Sequence, residues 1–151
     1  MTNFWRKFFM EVFAEGFPKG QPRPRAFSRG GKASVYDPAT AEGWKSAIAI
    51  ACRPWAGRRV SEPVFLRLVF YMPRPKSHYK KDGSLTLSGS DAMYVKTPDV
   101  DNLAKAVMDC MTSLQIWVDD AQVVELSVFK RYTNGATGCQ IEVATINGHK
   151  P

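Results

Sequence analysis

Apolar residues alternate with polar ones in two stretches of the chain, and this two-residue period predicts β-strands. The first strand covers about Phe8–Glu15, and the second, which is clearer, covers Val64–Met72. The second places five apolar side chains on one face: Val64, Leu66, Leu68, Phe70 and Met72. Further along, Gln122–Tyr132 and Cys139–Asn147 predict two more strands, which are joined by a segment rich in turn residues.

Two other stretches show the period of an α-helix. The first covers about Thr40–Cys52 and has these apolar residues at helical spacing: Trp44, Ala47, Ile48 and Ala51. The second covers about Val100–Gln115, where one apolar stripe is formed by Leu103, Val107, Cys110 and Leu114. At about 100° per residue, Asp101 and Lys105 fall on the opposite face of this second helix.

Proline and glycine mark the connections between these elements. The segment Gly16–Arg25 contains three prolines and two glycines, which exclude regular structure there. A long connection follows Pro73 and runs to about Pro98, and connections of this length are usually functional or mobile. Within it, Lys80–Gly83 is able to form the turn of a small hairpin.

The predicted order is strand, helix, strand, long loop, helix, strand, strand. This order indicates one α+β domain over residues 1–151, in which two helices pack on a small mixed β-sheet. An apolar fraction of 44% in 151 residues is sufficient for one ordinary core.

Charge is distributed unevenly along the chain. The net charge is +7, but residues 1–90 carry sixteen Lys and Arg against six Asp and Glu, a balance of +10. Residues 91–151 carry five against eight, a balance of −3. The basic residues 1–90 suit contact with phosphate groups, and the acidic excess lies in residues 91–151.

Several other classes of protein are not expected. The three cysteines lack zinc-site spacing, so we expect reduced thiols. No segment has the apolar length of a membrane span, and glutamates interrupt the only run that resembles a signal peptide. No glycine-rich phosphate loop is present, so a nucleotide cofactor is not expected. No Ser/His/Asp arrangement is present either, which argues against nucleophilic catalysis of that type. We expect a cytoplasmic protein with no membrane partner.

The acidic excess is concentrated around the second predicted helix, at Asp99, Asp101, Asp119 and Asp120. Carboxylates repel an acidic polymer but hold hard cations such as Mg²⁺, which suggests chemistry on a nucleic-acid backbone. On spacing alone a structural interpretation fits as well. Asp99 is then a helix cap, Asp101 forms an exposed pair with Lys105, and the last two aspartates form a turn.

Two basic segments are candidates for contact with DNA. Arg23, Arg25, Arg29 and Lys32 lie in the Pro/Gly-rich part of the chain, where side chains and backbone N–H groups are well presented to phosphates. Arg74, Lys76, Lys80 and Lys81 lie at the start of the long connection, together with Tyr79. Basic residues mixed with an aromatic residue suit phosphate neutralisation combined with base stacking.

Together these motifs resemble the RusA family of Holliday junction resolvases, which is common in phages and prophages. The resemblance rests on Pro98-Asp99-Val100-Asp101-Asn102-Leu103 with Lys105 and Asp109, and on Trp117-Val118-Asp119-Asp120-Ala121-Gln122-Val123. Three upstream motifs occur in the family's order: Gly20–Arg25, Tyr36–Pro38 and Pro73–Ser77. The similarity covers about residues 8–132.

The resemblance implies a homodimeric, Mg²⁺-dependent endodeoxyribonuclease, with Mn²⁺ as a substitute metal, that makes paired nicks in four-way DNA junctions during recombination and repair. The setting it implies is a bacterial cytoplasm, with a phage or prophage origin. The family's catalytic, metal-binding carboxylates carry over to Asp99, Asp101 and Asp120, and its essential lysine to Lys105. Supporting roles around these ligands fall to Asn102, Asp109 and Asp119.

One departure from the family pattern concerns the turn before Asp119. Family members often have a glycine there, where this chain has Thr112-Ser113-Leu114-Gln115. Two alternatives also stay open: a nuclease for flaps, forks or other branched DNA, and a junction-binding protein that does not cut. A basic scaffold protein would leave the acidic residues without an explanation.

Overall fold

The computed structural model describes residues 5–21, 25–29, 32–36 and 39–147. Within these residues the strands are β1 (Arg6–Glu15), β2 (Arg25–Arg29), β3 (Lys32–Tyr36), β4 (Val64–Pro73), β5 (Val123–Thr133) and β6 (Gly138–Ile146). The helices are α1 (Ala39–Cys52), α2 (Leu87–Asp91) and α3 (Val100–Ser113), with short 3₁₀ turns at Arg53–Trp55, Lys76–His78 and Asp120–Gln122. The predicted α+β class and mixed sheet are confirmed.

The main sheet has the strand order β1-β6-β4-β5. Strands β4 and β5 are parallel, while β6 is antiparallel to both β1 and β4. Although β5 and β6 are joined by a short turn, they do not pair, because β4 lies between them. The parallel pair requires a long connection between β4 and β5, and α3 belongs to that connection.

The core lies on the helix-covered side of the sheet. Helix α1 contributes Trp44 and Ile48, both almost fully buried, and β4 contributes the alternating residues predicted above. Helix α3 buries Leu103 and Val107, as the predicted stripe requires, whereas Cys110 and Leu114 are only partly buried. Burial extends also to these neighbours in α3: Ala104, Ala106 and Met111. Each fully buried large aliphatic side chain contributes about 1.5–3 kcal/mol.

One prediction of irregular structure is wrong. The sequence predicts no regular structure at Arg25 and no strand at Arg29 or Lys32, but these residues belong to the antiparallel hairpin of β2 and β3, in which Arg29 pairs with Lys32. The two-residue Gly30-Gly31 sequence between alternating residues is a hairpin signal that the abundance of proline and glycine nearby obscured. Between the main sheet and this hairpin, residues 16–21 have no regular structure, as predicted.

The long connection between β4 and α3 is held in place by side chains. Arg74 donates hydrogen bonds to the carbonyl of Gly89 and, at 2.7 Å, to Oδ1 of Asn134. The predicted turn at Lys80–Gly83 is present, because the N–H of Lys80 donates to the carbonyl of Ser84 at 2.7 Å. No helix in the described part of the chain is long and apolar enough to cross a membrane.

Candidate active site on helix α3

The entry turn of α3, Thr97–Asp101, presents two exposed carboxylates. Asp99 occupies the N-cap position, where its backbone carbonyl accepts from the N–H of Leu103 at 3.0 Å. Its side chain makes no capping hydrogen bond. Asp101 lies in the first turn of the helix and makes no ion pair with another described residue. Both carboxylates therefore keep their oxygens available for a ligand.

Lys105 pairs with a different aspartate from the one that the structural interpretation suggested. Its Nζ lies 3.4 Å from Oδ1 of Asp109, one turn further along α3, and not next to Asp101. The pair is exposed, and exposed i,i+4 pairs contribute only about 0.3–0.5 kcal/mol. Asp101, Lys105 and Asp109 follow one another along one solvent-facing side of α3.

The exit turn, Leu114–Gln122, uses its polar groups differently. The carboxylate of Asp119 accepts from the N–H of Ala121 at 3.0 Å, which caps the following 3₁₀ turn. Gln122 completes the arrangement, because its Oε1 accepts from the N–H groups of Val118 and Asp119 at 2.9 and 2.8 Å. Its Nε2 donates to the carbonyls of Val60 and Glu62 at 2.7 and 3.1 Å.

These contacts distinguish the two neighbouring aspartates. The N–H of Ala121, followed by the side chain of Asp120, lowers the pKa of Asp119 below its ordinary value of 3.8. A lowered pKa means that the folded chain favours the charged form of this carboxylate, as the cap requires. Asp119 is thus engaged by the backbone, and Asp120 is the half-buried member of the pair that lines a cleft.

The backbone of the exit turn has a left-handed conformation at Gln115, which glycine adopts more easily than other residues. Gln115 has φ of 57°, the left-handed region in which helices commonly end on glycine. Its carbonyl accepts from the N–H of Arg59 at 2.9 Å, and its Oε1 accepts from Nη1 of Arg59 at 2.6 Å. Gln115 therefore holds a backbone conformation that glycine adopts more easily.

A cleft of about 400 Å³ joins the exit turn to the end of α3. Asp109 and Asp120 line it together with Gln21, Lys45, Thr112 and Ser113. The Oε1 of Gln21 is buried there without a hydrogen-bond partner, and the N–H of Gln21 donates to the carbonyl of Asn102 at 3.1 Å. Sequence reasoning assigned no role to Gln21, although it lies in the Gly20–Arg25 motif, and it missed Lys45, which belongs to no recognised motif.

The carboxylates of the two turns do not form one cluster within this chain. Asp101 and Asp109 are eight residues apart, about 12 Å along the helix axis. Asp109 lines the cleft described above together with Asp120, and Asp101 is not among the residues that line it. Among the described residues, no group of three His, Cys, Asp or Glu side chains is close enough to hold a metal ion.

The predicted DNA-binding residues differ in their surroundings. Lys76, Lys80 and Lys81 are exposed, whereas Arg74 is half-buried and occupied by the contacts described above. Arg23 lies outside the described residues. For Arg25, Arg29 and Lys32 the structure describes the strands that contain them, and their contact with DNA stays a prediction.

Comparison with known proteins agrees with the sequence motifs. The family model for the endodeoxyribonuclease RusA matches residues 15–144. The uncharacterized protein YqaN of Bacillus subtilis (strain 168) is 37% identical over 121 residues, which cover 78% of this chain and 84% of YqaN. The region matched by the family model contains both turns that flank α3.

Proposed function

This chain belongs to the RusA endodeoxyribonuclease family, and on that premise we propose that it cuts four-way DNA junctions with the help of Mg²⁺. One observation carries the proposal. An otherwise basic chain exposes the carboxylates of Asp99 and Asp101 at the start of α3 without capping or pairing them. A protein that only bound DNA would gain nothing from two free negative charges near phosphate.

The metal ligands of this proposal are Asp99, Asp101 and Asp120. Their chemistry fits Mg²⁺ or Mn²⁺, because both ions prefer oxygen ligands and carboxylates supply them. When bound, the metal supplies positive charge that activates a water molecule and stabilises the charge of the reacting phosphate. Asp119 is the weaker candidate ligand, because its carboxylate already caps the exit turn.

The remaining residues would position the catalytic groups or neutralise the charge of DNA phosphates. Lys105 projects from the same solvent-facing side of α3 as Asp101 and offers a positive charge to the cleaved phosphate. Asp109 accepts a hydrogen bond from Lys105 and so limits the directions that its ammonium group adopts. Asn102 fixes the segment around Gly20 and Gln21 against α3 through its backbone carbonyl. Lys76, Lys80 and Lys81 would contact the junction arms, which makes binding strongly dependent on salt.

The separation between the two turns supports a homodimer. Because Asp101 does not line the cleft that holds Asp120, and no three described acidic, His or Cys side chains lie close enough to hold a metal ion, we propose that the three carboxylates work together only across two copies. A two-fold dimer would then carry two identical sites, one for each of two opposed strands of a junction. Paired, symmetric nicks follow from that symmetry.

The main test compares the wild type with Asp101→Asn on a synthetic four-way junction, with and without Mg²⁺. The wild type should make paired nicks only with the metal, and the variant should bind the junction without cutting it. Asp119→Asn is the matched control and should retain most of the cleavage. Equal cutting by Asp101→Asn and the wild type would disprove the assignment, and equal cutting of linear duplex would remove the preference for junctions.

A mixing experiment tests the shared site. Asp101→Asn and Asp120→Asn would each be inactive alone. If one active site draws on both copies, random exchange makes about half of the dimers mixed, each with one intact site, so mixing should restore about a quarter of the nicking. With sites contained in single chains, the mixture would stay as inactive as its components. Sedimentation of the mixture reports independently whether dimers form.

A further inference from the structure

A second cavity lies beside the entry turn, and its lining adjoins that of the Asp120 cleft at Gly20 and Gln21. It has a volume of about 500 Å³, within the range of pockets that hold small organic groups. Its lining includes Phe17, Lys19, Met72, Tyr94, Pro98 and Asn102. Neither the proposed metal ligands nor Lys105 line this cavity.

The wall beside α3 is fixed before any ligand binds. The hydroxyl of Tyr94 donates to the carbonyl of Thr97 at 2.9 Å, and the Nζ of Lys130 donates to the carbonyls of Lys96 and Pro98 at 2.8 and 3.0 Å. The same Nζ lies 5.2 Å from the centre of the Tyr94 ring. The ring and the entry turn are therefore held together as one unit, which lowers the cost of ordering them around a ligand.

The chemistry of the lining suits a nucleobase. Aromatic side chains stack on any base, and this cavity has Tyr94 in its wall and the ring of Phe17, which is 64% exposed. The amide of Asn102 can both donate to and accept from the edge of a base. Lys19 lines the cavity and no Asp or Glu does, so the lining attracts an adjoining phosphate and places no negative charge against it.

The position of the cavity links it to the site of cleavage. Pro98 and Asn102 line it, and Asp99 and Asp101 lie between them in the sequence. We propose that the cavity binds a single unstacked DNA base that neighbours the cleaved phosphate. The inference rests on the proposed function. It adds that the enzyme recognises the branch point by holding one base out of the helix.

A small residue is required at the back of this cavity. A Cβ at Gly20 would overlap the amide nitrogen of Asn102 and lie 3.3 Å from the Cβ of Pro98. Glycine thus leaves the Asn102 amide in place beside the cavity. The base edge would be read by this amide, whereas the stacking surfaces accept all four bases.

The experiment is a double-mutant cycle, in which one protein side chain and one DNA base are removed singly and together. Four-way junctions carrying a single abasic site at successive positions around the cleaved phosphate are bound to Asp101→Asn protein at fixed salt, and affinity is measured by fluorescence anisotropy. At one position the abasic site should weaken binding about 10-fold, as expected for the loss of one stacked base. Adding Phe17→Ala should weaken binding to the intact junction about as much, with no further effect on that abasic junction.

Phe8→Ala is the matched control, because Phe8 is an aromatic residue of comparable exposure, at 53%, on a different element. It should leave both affinities unchanged. Additive effects of Phe17→Ala and the abasic site, or no sensitive position at all, would overturn the base-binding inference while normal junction binding persisted. Failure to bind any four-way junction would instead overturn the proposed function as well.

Discussion

The entry and exit turns of α3 each carry a pair of aspartates, but they hold these residues in different ways. Asp99 and Asp119 both stand at the N-cap of a helical segment. The carboxylate of Asp119 accepts a backbone hydrogen bond there, whereas that of Asp99 makes none. The side chain of Gln122 also fixes the exit turn, because it forms hydrogen bonds within the turn and to the carbonyl of Val60.

The difference separates residues that hold the fold from residues that are free for chemistry. A carboxylate with filled hydrogen-bonding positions has fewer lone pairs left for a metal, while an exposed, unpaired one remains available. The exit turn therefore combines both uses in adjacent residues, with Asp119 as the cap and Asp120 facing the cleft. Four substitutions test this contrast, from the largest expected effect to the smallest.

Asp99→Asn should reduce junction cleavage at least about 100-fold, because it removes a free carboxylate that the proposal assigns to the metal. Thermal stability should be nearly unchanged, since the Asp99 side chain caps nothing. Cleavage rates and Tm are measured for this variant and for Asp119→Asn. A comparable loss of cleavage in both variants would show that Asp99 and Asp119 do not differ in function.

Gln122→Ala should lower the free energy of unfolding by about 2–3 kcal/mol, because four hydrogen bonds to two chain segments are lost. Cleavage should also fall, because the turn that positions Asp120 is loosened. The control is Gln140→Ala, which removes the single side-chain bond from Gln140 to Glu11. Urea denaturation measures both, and equal losses would argue against the clamping role of Gln122.

Gln115→Gly should make the chain about 1 kcal/mol more stable than Gln115→Ala. Both variants lose the side-chain bond to Arg59, but only glycine adopts φ of 57° without strain. The difference between the unfolding free energies of the two variants measures the cost of the left-handed backbone at residue 115. Identical stabilities would mean that the exit turn relaxes out of the left-handed conformation when the side chain is shortened.

The smallest effect concerns the pH dependence of the Asp119 cap. Since its folded pKa lies below 3.8, its stabilising contribution is present above that value and is lost as the pH falls through the folded pKa. Asp119→Asn keeps a capping oxygen but does not titrate. The stability difference between wild type and this variant should therefore change between about pH 6 and about pH 2.5. A constant difference over this range would contradict the lowered pKa.

The sequence was sufficient where structure depends on local periodicity. The apolar stripe of α3 predicted the burial of Leu103 and Val107 and the exposure of Asp101 and Lys105, because side-chain direction in a helix is set by residue spacing alone. The strand Val64–Met72 was equally predictable. The pairing of β4 between β5 and β6 was not, because strand order depends on distant parts of the chain.

Hydrogen-bond partners were the least predictable feature of the candidate site. Lys105 has an aspartate four residues away on either side, and an acid on the N-terminal side is usually favoured, which pointed to Asp101. The structure has the opposite pairing. Likewise, no feature of the Asp119-Asp120 sequence indicates which carboxylate caps the turn, because that depends on the backbone of the exit turn.

Helix α3 places its buried residues and the proposed catalytic residues on separate sides of one element. If the proposal is correct, selection against unfolding acts on Leu103, Val107 and Met111, and selection for DNA cutting acts on Asp101 and Lys105. A descendant that loses the second set would then keep an intact domain and the proposed DNA-binding surfaces. Such lineages would persist as inactive binders, and their helices would show drift on one side only.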